Sequence, residues 1–128
     1  MNEILRSIEL LRVVPVIKIE DAEHAEPLAR ALVDGGLPVA EVTFRTEAAE
    51  KAIGRIHRNV PDVLLGAGTV LSVDQVKRAV DAGARFIVSP GFNPKVVDYC
   101  IGNGIPVTPG VNNPTGVEMG LERGLEVL

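Results

Sequence analysis

The stretch Val39-Ala40-Glu41-Val42-Thr43-Phe44-Arg45 (residues 39–45) decides the fold of this 128-residue chain. Its β-branched and apolar content reads as a strand over Val39–Phe44, and side chains along a strand alternate between two faces. Val39, Glu41, Thr43 and Arg45 therefore share one face, and Ala40, Val42 and Phe44 share the other. Parallel strands are covered on both sides, so a charged residue inside one needs a partner or a chemical task. With the apolar set packed on helices, Glu41, Thr43 and Arg45 point into an interior at the C-terminal end of the strand. That is where parallel β/α barrels gather catalytic groups. The alternative is a structural Glu41–Arg45 ion pair that fills the interior, and the two readings can coexist.

On either side of this strand, short apolar runs alternate with longer amphipathic stretches, the signature of βα units. A leading helix is expected over Glu3–Leu11 and a first strand over Val13–Ile17. Asp21 is placed to cap a helix over Ala22–Asp34, which Gly35-Gly36 ends. Thr46 is placed to cap a helix reaching His57, Pro61 separates it from a third strand over Leu64–Thr69, and Ser72 caps a helix ending near Gly83. A fourth strand follows at Arg85–Ser89, a helix at Pro94–Ile101, a fifth strand at Ile105–Thr108 and a helix at Pro114–Arg123. Leu125–Leu128 reads as the opening of a sixth strand.

About five and a half βα units without a linker or low-complexity tract indicate one domain over residues 1–128. A complete eight-unit barrel needs roughly 200 residues or more. The chain is therefore read as the N-terminal portion of a parallel (β/α)8 TIM barrel, truncated at the start of strand six. The repeat length also suits a leucine-rich solenoid, but the Leu-x-x-Leu-x-Leu and Asn signals of that class are absent. A doubly wound open sheet uses the same alphabet of units, and periodicity alone does not separate it from a barrel.

Composition fits an ordinary soluble domain, with 46% hydrophobic and 23% charged residues and a net charge of −4. No apolar run is long enough to span a bilayer, and no block of Lys and Arg invites nucleic acid. Cys100 is the single cysteine, and residues 1–10 lack the basic and long apolar regions of a signal peptide, so the expected compartment is the cytoplasm.

The third strand ends in Gly66-Ala67-Gly68-Thr69, whose small residues admit a ligand or a close neighbour. Without a third glycine it is not a dinucleotide fingerprint. Ser89-Pro90-Gly91 and Thr108-Pro109-Gly110 place turn residues at the same rim.

Together, Val14-Pro15-Val16, Glu41-Val42-Thr43-x-Arg45-Thr46, Gly66-Ala67-Gly68-Thr69-Val70, Ser89-Pro90-Gly91 and Pro109-Gly110 give the chain a specific likeness. From about Arg12 to Leu128 it resembles the 2-keto-3-deoxy-6-phosphogluconate (KDPG) and 4-hydroxy-2-oxoglutarate (KHG) aldolase family. The resemblance implies a cytoplasmic, homotrimeric barrel acting as a class I aldolase. Such an enzyme reversibly splits a 2-keto-4-hydroxy acid into pyruvate and an aldehyde, with no metal and no cofactor. Its partner is then a small keto acid, with no nucleic acid and no membrane. Carried over by motif, Glu41 takes the family's general acid/base role, and Arg45 and Thr69 take its pyruvate-binding roles.

A Schiff base also demands a desolvated lysine at a strand end. The four lysines are Lys18, Lys51, Lys77 and Lys95, of which the last three fall on helices as solvated charges. Lys18 is in phase with Val14 and Val16, yet the family does not place its nucleophile there, and a surface lysine is the expectation. In the family the lysine follows a Gly-Leu-x-x-x sequence on strand six. Here that sequence is Gly124-Leu125-Glu126-Val127-Leu128, so the nucleophile would be the next residue.

His24 and His57 lack companions at ligand spacing and read as surface or packing residues, and Cys100 as a small buried apolar group. A barrel's phosphate site is usually built after strands seven and eight, so a phosphorylated substrate finds no support in these residues. Against the enzyme stands an inactive barrel fragment that acts only as a structural or oligomerising piece. A binding protein is a third reading.

Overall fold

A computed structural model describes residues 2–128. Helix α1 (Glu3–Leu11) leads into β1 (Val16–Ile17), and α2 (Ala25–Asp34) into β2 (Val39–Thr43). Then α3 (Ala49–Asn59), β3 (Leu64–Gly68), α4 (Val73–Ala82), β4 (Phe86–Ser89), α5 (Pro94–Gly102), β5 (Val107–Pro109) and α6 (Pro114–Glu122) follow in turn. The five strands form one parallel sheet in the order β1-β2-β3-β4-β5. A doubly wound sheet reverses its strand order part-way, and this sheet does not. The crossovers join sequential neighbours, the connecting helices cover one side as a barrel wall requires, and α2 to α5 pack each on the next.

The register separates two faces. Ile17, Val42, Ala67, Ile87 and Val107 stand side by side across the five strands. This row belongs to the helix-covered core, with Ile53 and Ile56 of α3, Val76 of α4, and Val96 and Val97 of α5. One residue earlier, Val16, Glu41, Gly66 and Phe86 form the matching row on the opposite, inner face. The alternation expected of residues 39–45 thus holds, with Ala40 and Val42 packed on helices and Glu41 and Thr43 turned inward.

Several boundaries differ from the sequence expectation for identifiable reasons. β1 is two residues long rather than five, because Pro15 offers a carbonyl to Glu41 N–H (2.9 Å) but has no N–H of its own to extend the ladder. Asp21 caps a short 3-10 turn over Ala22–His24, accepting from Glu23 N–H at 2.9 Å. The α-helix starts only at Ala25, since Pro27 cannot donate the hydrogen bond that would carry it through. Thr46 does not cap α3. Its hydroxyl donates to the Ile19 carbonyl at 2.5 Å, and the helix begins at Ala49. Leu125–Leu128 forms no sixth strand: Leu125 N–H donates to the Gly120 carbonyl (3.0 Å), and the Leu128 side chain rests on Gly120. Those residues fold back onto α6.

Ser72 and Gly83 do bound α4 as expected, the serine accepting from Gln75 N–H at 3.2 Å. Gly83 has φ +116°, and a Cβ there would run into the His57 ring of α3. Gly83→Ala should therefore lose about 1–2 kcal/mol from the left-handed backbone alone, with a further loss from the clash. Urea midpoints should show a smaller loss for Gly83→Ala in a His57→Gly background, which takes away both the ring and its Cβ, and equal losses would remove His57 from the account.

Candidate active site

Glu41 sits at the centre of β2, between Val16 of β1 and Gly66 of β3, and is 8% exposed. Its carboxyl leans toward the C-terminal end of the sheet and covers Gly68, where a Cβ would overlap the carboxylate oxygen. Gly68 is thus required for Glu41 to lie where it does. Burial pushes the Glu41 carboxyl above its ordinary value of 4.5, while the nearby Arg45 charge opposes that shift.

Arg45 does not close onto Glu41 as an ion pair. Its Nε donates to the Thr69 hydroxyl at 3.2 Å, which leaves an exposed guanidinium at the rim. Thr69 itself has φ +55°, a left-handed conformation that a β-branched residue rarely takes. The chain is held there from both sides: Phe44 N–H donates to the Gly68 carbonyl (2.7 Å), and Val70 N–H to the Val88 carbonyl (3.2 Å). Strain of this kind costs on the order of 1–3 kcal/mol and collects at binding sites.

Two further threonines anchor the neighbouring edge. The fully buried Thr43 donates its hydroxyl to the Ile17 carbonyl at 3.0 Å, and with the Thr46–Ile19 bond it fastens the chain leaving β1 to β2. At the other edge the two Pro-Gly corners interlock. Ser89 Oγ donates to the Gly91 carbonyl (2.9 Å), Gly110 N–H donates to the Ser89 carbonyl (2.8 Å), and a Cβ on Gly110 would strike the Pro90 carbonyl.

The structure therefore brings Glu41, Arg45 and Thr69 to one end of one face. It leaves the other candidates elsewhere. Lys18 is exposed and pairs with Glu20, Lys51, Lys77 and Lys95 lie exposed on helices, and His24 is exposed beside α2. The Cys100 thiol is buried and pushed up to about 11, which makes it inert. Among the described residues no three His, Cys, Asp or Glu side chains converge to hold a metal ion, and no helix is long and apolar enough to cross a membrane. Sequence reasoning missed Phe86, which faces inward one strand beyond Gly66. The available signal was its alternation with the helix-facing Ile87.

Residues 3–128 match the family model described as KDPG and KHG aldolase. The chain belongs to this aldolase family. It is 52% identical over 128 residues to the 2-dehydro-3-deoxy-phosphogluconate aldolase of Treponema pallidum, covering 100% of this chain and 61% of that one. It is 47% identical over 127 residues to the enzyme of the same name from Haemophilus influenzae, covering 99% of this chain and 60% of the relative. A KDPG aldolase from Legionella pneumophila, solved with pyruvate captured at low pH as a covalent carbinolamine intermediate, superposes with a TM-score of 0.83 at 43% identity, covering 87% of this chain and 54% of that one. The chain spans about three fifths of the length of the relatives it matches. Its five strands are part of the barrel these aldolases share.

The raised Glu41 value carries a stability consequence. The folded carboxyl keeps its proton to higher pH than the unfolded chain does, so Glu41 costs nothing below about pH 4.5 and progressively more as pH rises through its folded value. Glu41→Gln should melt above wild type near pH 8 and level with it near pH 4. Thermal scans across that range check the sign, and a difference independent of pH would contradict the burial of a charged carboxylate.

Proposed function

We propose that the whole protein is a class I aldolase that reversibly cleaves a 2-keto-4-hydroxy acid, such as KDPG or KHG, into pyruvate and an aldehyde. The observation that carries this reading is the convergence of a buried carboxyl with raised proton affinity and a Thr69-held guanidinium at the C-terminal end of one sheet face. Family membership supports it, as does the carbinolamine described for the Legionella relative.

In this reading the nucleophilic lysine directly follows Leu128. Its amine adds to the keto carbon and water leaves, giving an iminium. When the hydroxyl proton is removed, the carbon–carbon bond breaks toward that iminium, which releases the aldehyde and leaves an enamine on the nitrogen. Glu41 takes the hydroxyl proton through water and returns a proton to the enamine carbon. Hydrolysis then frees pyruvate. Burial raises the proton affinity of this carboxyl, which favours its taking up and holding the proton it later returns.

Arg45 holds the substrate carboxylate, since its planar fork can give two parallel hydrogen bonds, and Thr69 adds a hydroxyl donor. Residues 1–128 are then the N-terminal portion of one barrel domain, and the working enzyme is a cytoplasmic homotrimer.

Pyruvate with borohydride should leave a reduced covalent adduct on the full-length chain, located by mass spectrometry on the residue after Leu128. Failure to form any adduct would sink the mechanism. Glu41→Gln should lower kcat by about 10²–10⁴-fold while the adduct still forms slowly. Arg45→Ala should chiefly raise KM, and an unchanged KM would return Arg45 to a structural role.

A further inference from the structure

Phe86 lies on the inner face of β4, is 2% exposed, and takes no part in the chemistry above. It stands in register with Gly66, which stands in register with Glu41, so the three fill successive strands of one row. Neighbouring positions in such a row are about 5 Å apart, within reach of an aromatic ring. The far edge of the Phe86 ring, Cζ and Cε2, lies over the Gly66 backbone, where a Cβ would collide with it.

Glu41 faces the same gap from the other side. Two side-chain-free positions adjoin it on β3, Gly66 beside it and Gly68 one pleat nearer the rim. The Glu41 Cγ, Cδ and Oε1 cover Gly68, and the ring occupies Gly66. The lower space is already taken.

We propose that Phe86 is a positioning residue of this site: its ring, lying across Gly66, closes the floor beneath Glu41 and holds the carboxyl over Gly68 at the C-terminal end of the sheet. The role rests on the aldolase reading for its catalytic meaning, but the geometry stands apart from it. A ring in that place also keeps water from the underside of the carboxyl. Arg45 is the charged group whose field acts on Glu41. The residues flanking Glu41 on β1 and β3, Val16, Gly66 and Gly68, carry no charge, and Lys18 beyond β1 is paired with Glu20.

The test is a ¹³C NMR titration of the Glu41 carboxyl in the full-length protein, assigned by its loss in Glu41→Gln. Phe86→Val should move the Glu41 titration downward by about half a pH unit or more, toward the ordinary carboxylate range. Phe86→Leu, which keeps most of the volume, should move it the same way by less, and it decides the matter if Phe86→Val does not fold. Ile87→Val trims the helix-facing side of the same strand and should leave the titration in place. In turnover, Phe86→Val should lower kcat and shift the pH profile in parallel while leaving the pyruvate KM unchanged. A folded Phe86 variant with an unmoved Glu41 titration would overturn the proposal, as would an equal shift in Ile87→Val. A wild-type protein that forms no pyruvate adduct would sink the aldolase reading alone, because the titration does not depend on turnover.

Discussion

A carboxyl can stand inside this sheet only because the adjacent strand withholds its side chains. Glu41 lies against Gly68 with no room for a methyl group between them, and Gly66 yields its space to Phe86. Everything that gives the inner face its character follows from this pairing of β2 with β3. A carboxyl removed from water binds its proton more tightly, and the parallel register fixes which glycine meets which side chain. A one-residue slip of β2 would send Glu41 among the helices and Val42 to the interior.

The cost of such a face is met on the other side of the sheet. The row from Ile17 to Val107 and the apolar faces of α3, α4 and α5 form one continuous core, and burying a Val- or Ile-sized side chain contributes about 1.5–3 kcal/mol. That layer tolerates a desolvated carboxyl, a left-handed threonine and an arginine held at the rim. The hydroxyls of Thr43 and Thr46 then bind the chain leaving the two-residue β1, whose own ladder is short. Rigidity at the rim is thus supplied by side chains where backbone pairing runs out.

Much of this was legible in the sequence because it rests on period and register. The alternation in residues 39–45 placed Glu41 and Thr43 inward, and Ser72 and Gly83 marked the ends of α4 correctly. What was not legible depends on partners distant in the chain. Thr46 has the right chemistry for a cap, yet the Ile19 carbonyl, 27 residues away, captures its hydroxyl. The Glu41–Arg45 ion pair looked plausible from spacing alone, whereas the arginine turns to Thr69. Leu125–Leu128 has strand composition, but composition does not reveal that its first N–H closes onto α6. No local pattern disclosed that a phenylalanine two strands away sets how high the carboxyl rides.

The interlocked corners after β4 and β5 bear on how this rim can be altered. With Gly110 seated against the Pro90 carbonyl and bonded to Ser89, neither corner can lengthen or change course without displacing the other. Loop grafting that aims to reshape this rim must therefore transplant both segments together. The smallest part of this barrel mouth that can be rebuilt is thus larger than a single βα loop.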